Sequence, residues 1–249
     1  MNTSAQNQNI VFAKKLLQKK YRDSEGKYLI EGAKLVREAL ERGLKIDYII
    51  VSNSCENKFY ALLCETKYFT VEDNVFKTLT DTVSNQGILA VLTKPKLKLR
   101  PPKSNALILE HIQDPANVGA ILRTAAASGY NDVYLIECAD PYSPKCIRSG
   151  MSSQFCLNIF SATKEEVLAN LKDACLLVCA DMDGENAFSC EITQLHALVL
   201  GNEGNGVSEE LKSACQKTVS IPMANGMESL NVSVTAGILM YLISNKNKN

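Results

Sequence analysis

The sequence predicts an α/β protein in two pieces, a small α/β domain followed by a larger one built on a parallel sheet. Three observations carry that reading. From about residue 105 onward, continuous apolar runs alternate with stretches of helical periodicity, the order of a parallel sheet covered on both faces. Before residue 95, shorter strand-like and helical stretches alternate as well. Between them, "KPKLKLRPPKSN" carries five cations from Lys94 to Lys103, no acid, and prolines that interrupt regular structure. The expected boundaries are 1–95, a basic linker over 96–104, and 105–249.

In the first piece, "NIVFAKKLLQKKY" predicts one basic amphipathic helix and "KYLIEG" a short strand. "AKLVREALERG" predicts a helix stopped by Gly43, because glycine accepts the left-handed conformation that closes a helix. "LKIDYIIVS" and "GILAVLTKP" read as strands, with helical pieces around 57–64 and 72–79 between them. In the second piece, "ALILEHI" is an apolar strand of the kind buried in a parallel sheet. Helix "NVGAILRTAAASG", strand "DVYLIE", helix "KEEVLANLKDA" and strand "LLVCAD" follow. Strand "HALVLG" then leads through "GNEGNGVSEEL" to strand "TVSIP" and a closing helix.

Bulk composition narrows the function classes. Lys plus Arg and Asp plus Glu both number 27, so a uniform polyanion-binding coat is excluded while local basic surfaces remain available. "MNTSAQNQNI" lacks the apolar stretch of a secretory leader, and no run approaches roughly 18 apolar residues. A soluble, cytoplasmic protein without membrane contact is expected. The nine cysteines are odd in number, scattered, and form no CxxC pair, which predicts reduced structural thiols and no metal site.

Three loops following strand ends carry the chemistry, because ligands of such sheets sit at the carboxyl ends of the strands. In "HIQDPANVGAILRTAAASG", Asn117 is a candidate N-cap, and Arg123 stands among Gly119, Ala120, Ala126 and Ala127, so a bulky group can approach its guanidinium. A solvated arginine on an alanine-rich helix explains that stretch equally well. "LVLGNEGNGVSEEL" is punctuated by Gly201, Gly204 and Gly206, which let backbone groups approach a ligand, and Glu203 has no packing reason to sit at its centre. Its GxxGxG spacing is neither the dinucleotide fingerprint nor a phosphate-binding P-loop. In "SIPMANGMESLNVSVTAGIL", Ser229 is a candidate N-cap for a helix expected to be buried nearly all round. Ser229, Asn231 and Ser233 are polar groups where an apolar helix begins, a position suited to an anionic oxygen. Gly237 in the middle of that helix suggests close contact with a neighbour.

Taken in order, "DPANVGAILRTAAASG", "LVLGNEGNGVS" and "SIPMANGMESLNVSVTAGIL" resemble the three motifs of SpoU/TrmH-type RNA 2′-O-methyltransferases of the knotted SPOUT superfamily, over about residues 105–243. "DPYSPKCIRSGM" resembles the ribosomal-RNA branch of that family, and residues 9–95 look like the RNA substrate-binding domain often fused in front, related in fold to small ribosomal proteins. The resemblance implies a trefoil-knotted methyltransferase domain, a homodimer with the pocket near its interface, and S-adenosylmethionine as donor with S-adenosylhomocysteine as product. It assigns Asn117, Arg123, Glu203, Ser229 and Asn231 to the catalytic site, and Gly201, Asn202, Gly204, Ile221, Met223 and Leu230 to the cofactor pocket.

The implied acceptor is a ribose 2′-hydroxyl, in large-subunit (23S) ribosomal RNA by this resemblance. Arginine is a poor base because its pKa exceeds about 12. The resemblance implies Arg123 as the activator of that hydroxyl; the alternative to a base is that Arg123 fixes a substrate phosphate and stabilises developing alkoxide charge. Lys14, Lys15, Lys19, Lys20, Arg22 and Arg148 are the expected RNA contacts, although a basic run by default is only a solvated face. A transfer-RNA ribose methyltransferase shares the same motifs. A non-catalytic RNA-binding or assembly factor is the rival from another class, and the α/β pattern alone also admits an oxidoreductase.

Overall fold

A computed structural model of the chain describes residues 3–64, 66–82, 84–202 and 204–246. The chain divides into two compact units, Met1–Lys96 with Asp140–Phe155, and Leu97–Ala139 with Cys156–Asn249.

The first unit begins with α1 (Gln8–Lys15), α2 (Lys19–Glu25), β1 (Lys27–Glu31) and α3 (Ala33–Glu41). It continues with β2 (Ile46–Ser52), α4 (Glu56–Leu63), β3 (Tyr68–Val71), α5 (Asp73–Phe76) and β4 (Ile88–Thr93). Its sheet runs β1-β4-β2-β3, with β3 parallel to β2 and the other pairs antiparallel. The single helix expected over "NIVFAKKLLQKKY" is two helices. Leu16 turns fully into the core at the break, and Arg22 reaches back to donate through Nη1 to the Leu16 carbonyl at 2.8 Å. Residues 140–155, expected in the second domain, pack in the first unit. There Tyr142, Ile147 and Phe155 join the core around Tyr28, and α7 (Pro144–Gly150) lies near β1.

The second unit holds β5 (Ala106–Glu110), α6 (Pro115–Ser128), β6 (Asp132–Ile136), β7 (Asn158–Ser161) and α8 (Lys164–Leu171). β8 (Leu176–Asn186), β9 (His196–Leu200), α9 (Glu209–Ser213), β10 (Lys217–Ser220) and α10 (Val232–Lys246) complete it. The six strands run in the order β10-β8-β9-β5-β6-β7, all parallel, the sheet that the alternating pattern predicts. β5, β6 and β9 are buried at every residue, so the centre of the sheet is shielded on both faces. At its amino-terminal end, Asp132 is buried and takes two hydrogen bonds from Arg100, at 2.7 and 3.1 Å. One cation of the basic linker is thus an anchor to the sheet. His196, also buried, pairs with the Tyr130 hydroxyl at 2.6 Å at that same end.

Candidate active site

At the carboxyl ends of β5, β9 and β10 the three loops meet through named contacts. The first loop leaves β5 through His111, whose φ of 55° is left-handed, and enters α6 at Asp114. Asp114 is the N-cap, accepting from the Ala116 amide at 3.0 Å, with Pro115 in the first helical position. Asn117 therefore lies inside the first turn and does not cap the helix. Val118, Ile121, Leu122 and Ala125 are buried, while Arg123 projects from the exposed side.

The second loop leaves β9 through Gly201. A Cβ there would lie 2.1 Å from the Gly206 carbonyl carbon and oxygen, so only glycine lets the loop close on itself. Asn202 and Gly206 exchange backbone hydrogen bonds of 3.0 and 2.9 Å. The Asn202 side chain is the knot of the loop. Its Oδ1 accepts from the Gly204 and Asn205 amides at 2.8 and 3.2 Å, and its Nδ2 donates to the His111 carbonyl at 3.0 Å. Glu203 lies outside the described residues.

The third loop runs from Ile221 to Asn231. Asn225 and Gly226 both have positive φ, and the Met227 amide closes that turn onto the Ala224 carbonyl at 3.2 Å. Residues 222–231 are exposed throughout, including the side chains of Met223, Met227 and Leu230. Asn231, and not Ser229, caps α10: its Oδ1 accepts from the Ser233 amide at 2.9 Å and from the Ser233 hydroxyl at 2.6 Å. Its Nδ2 donates to Oδ1 of Asn117 at 3.2 Å, joining the third loop to the first.

Two further expectations need correction. α10 is not buried all round, since Val234 and Tyr241 remain 48% and 45% exposed; the buried side is Val232, Ala236, Leu239, Met240 and Ile243. A Cβ on Gly237 would meet Thr124 Cγ2 at an ordinary 3.7 Å, so the approach of α6 does not demand glycine there.

Of the expected RNA contacts, Lys14, Lys15, Lys19 and Lys20 are exposed on α1 and α2. Arg22 is not available. It is 4% exposed, and its Nε donates to Asp140 at 2.7 Å, so burial and pairing consume its charge. Arg148 forms a two-pronged pair with Asp81, with Nη2 at 3.0 Å from Oδ2. Sequence reasoning also missed a polar cluster at the end of β5. Glu110 is fully buried there and bonded to Ser208 and Lys164. An acid closing an otherwise apolar strand was the signal for it.

A parallel α/β unit whose strand-end loops are tied together at the carboxyl edge of the sheet is the arrangement in which such folds bind their ligands. The comparisons with known proteins narrow that fold to a family. Residues 104–241 match the family model described as "SpoU rRNA Methylase family", and residues 7–90 match the "MRM3-like substrate binding domain". The 23S rRNA (guanosine(2553)-2′-O)-methyltransferase RlmP of Bacillus subtilis is 34% identical over 243 residues, covering 96% of this chain and 96% of that protein. The AdoMet-bound rRNA methyltransferase of Sinorhizobium meliloti superposes with a TM-score of 0.87 at 26% identity, covering 99% of this chain and 97% of that one. The AdoMet complex of the SpoU methyltransferase AviRb of Streptomyces viridochromogenes gives 0.88 at 25% identity, covering 97% and 98%. The chain belongs to the SpoU rRNA methylase family, with a substrate-binding domain in front of the methyltransferase domain.

Proposed function

We propose that this protein transfers a methyl group from S-adenosylmethionine to a ribose 2′-hydroxyl of large-subunit ribosomal RNA. The observation that carries the proposal is the closure of the three loops on one another through Asn231–Asn117 and Asn202–His111. It is supported by relatives that match nearly the whole chain, substrate-binding domain included, and are named as ribosomal RNA 2′-O-methyltransferases. S-adenosylmethionine supplies a methyl group made electrophilic by its sulfonium.

The residues present fit that donor. The backbone at Gly201, Ile221 and Leu230 grips the adenine, while Gly204, Met223 and Leu230 are exposed beside it and the last two offer apolar surface. Gly201 and Asn202 hold the second loop in shape, and Ile221 starts the third. Arg123 anchors an RNA phosphate through its planar fork and stabilises negative charge developing on the 2′-oxygen. Asn117 and Asn231 orient the sugar, and Ser229 holds ribose or phosphate. The carboxylate of Glu203 is assigned by its motif position alone. Lys14, Lys15, Lys19 and Lys20 provide sequence-independent phosphate contacts on the substrate-binding unit.

Among the described residues, no helix is long and apolar enough to cross a membrane, and no cluster of His, Cys, Asp or Glu is placed to hold a metal ion. The working unit is a homodimer, supported by the exposed apolar side of α10 at Val234 and Tyr241.

Calorimetric titration with S-adenosylmethionine and transfer of labelled methyl to 23S ribosomal RNA test the proposal. Donor binding with transfer is expected. Absence of donor binding favours a non-catalytic assembly factor, and transfer to transfer RNA in preference replaces the substrate.

A further inference from the structure

Glu110, the last residue of β5, has no solvent exposure, and both of its carboxylate oxygens are used. Oε2 accepts from the Ser208 amide at 2.7 Å, and Oε1 accepts from the Ser208 hydroxyl at 2.7 Å. Lys164 Nζ stands 3.1 Å from the same Oε1, donates to the Ser208 hydroxyl at 2.9 Å, and faces Glu210 at 3.4 Å. Burial alone raises the Glu110 carboxyl; the Ser208 amide and hydroxyl and the Lys164 ammonium outweigh it and hold the carboxyl below the usual range.

The loop after β9 is thereby tied to the end of β5 twice. At its entry, Asn202 donates to the carbonyl of His111, the residue next to Glu110. At its exit, Ser208 is gripped by Glu110 itself. Stability is a poor explanation for this arrangement, because a buried ion pair is commonly no more stabilising than apolar residues of the same volume. Register is a better one.

We infer that Glu110 and Lys164 are a positioning pair that sets the 201–208 loop against the start of α6, and so holds the methyl-donor pocket in its binding geometry. Glu110 presents no surface to a ligand, and the Lys164 ammonium is turned onto Glu110, Ser208 and Glu210, so the pair is assigned a role through the loop and not through the reacting groups. The inference rests on the proposed function above, and a second readout keeps the two separable.

The test uses the full chain with Glu110→Gln, Lys164→Met and the double substitution, each assayed well below its melting temperature. The single variants are expected to raise the donor KM about tenfold or more, as loop misplacement does, with kcat within about threefold of the parent. Amide exchange is expected to accelerate across 201–208. The double variant should resemble the singles, not their sum. A folded single variant with parental donor KM and parental exchange overturns the inference. If the singles do not fold, the double variant leaves neither charge unpaired and decides alone: raised KM supports the pair, parental KM overturns it. If the unaltered chain transfers no methyl group, the functional reading fails. Exchange at 201–208 then decides the pairing by itself.

Discussion

The Asn231 carboxamide donates to the Asn117 carboxamide oxygen at 3.2 Å, although the two residues stand 114 positions apart. Each sits at the first turn of a helix, α6 for Asn117 and α10 for Asn231, and those helices pack on one another. The contact therefore reports the relative placement of two helix starts, where backbone amides and fixed polar groups can meet a sugar and its phosphate. Arg123 stands two turns further along α6, on its exposed side.

Replacing Arg123 by Ala removes the cation assigned to the developing alkoxide. Methyl transfer is expected to fall by about a hundredfold or more, with donor affinity unchanged. Steady-state transfer and calorimetry on the same preparation check it. Unchanged turnover removes Arg123 from the mechanism.

Gly201→Ala introduces a Cβ 2.1 Å from the Gly206 carbonyl, with backbone as the obstacle, so the loop must open. Donor affinity is expected to drop about tenfold or more through loss of loop geometry. A titration matching the parent contradicts this.

Two variants that remove cations separate structure from RNA binding. Arg22→Ala strands the buried Asp140 carboxylate and is expected to cost about 3–5 kcal/mol in denaturant unfolding. Replacing Lys14, Lys15, Lys19 and Lys20 together by Ala is expected to leave stability nearly unchanged. RNA affinity should fall, and its salt dependence should become shallower by about one for each phosphate that is no longer neutralised. Equal stability losses in both variants contradict the assignment.

His196 ties stability to pH. Its burial keeps the imidazole below the ordinary value of 6.5. The unfolded chain therefore takes up a proton that the folded chain refuses as pH falls past 6.5. The contribution is complete above that pH and is lost toward the lower folded value, at up to about 1.4 kcal/mol per pH unit. Urea midpoints at pH 7.5 and 5.5 measure it, and His196→Gln is expected to flatten the difference.

Val234→Glu and Tyr241→Glu place charge on the exposed apolar side of α10. Light scattering is expected to show monomers, with transfer activity reduced. A dimer of unaltered mass in both variants places the subunit interface elsewhere.

Much of this molecule was legible in its sequence. Continuous apolar runs such as "ALILE" and "HALVL" announced central parallel strands because both faces are buried. The glycines and asparagines of the strand-end loops announced close backbone approach. What escaped depends on distant partners. β3 and β7 are four residues each, too short for a period to stand out. The break between α1 and α2 depends on Arg22 turning inward to Asp140, 118 positions away. The caps fell to Asp114 and Asn231 in place of Asn117 and Ser229, because several competent residues lay within one turn and only the chain's exit path decides among them. Glu110 falls inside the predicted strand "ALILEHI"; an acid in an apolar run signals a buried polar contact, but its partners Lys164 and Ser208 are distant in the chain and nothing local names them.

The most direct measurement digests 23S ribosomal RNA to nucleosides after reaction with S-adenosylmethionine and identifies the product by mass spectrometry. The account predicts a single 2′-O-methylated nucleoside, formed by the parent protein and lost with Arg123→Ala. A methyl group found on a base, or product formation indifferent to Arg123, would contradict it.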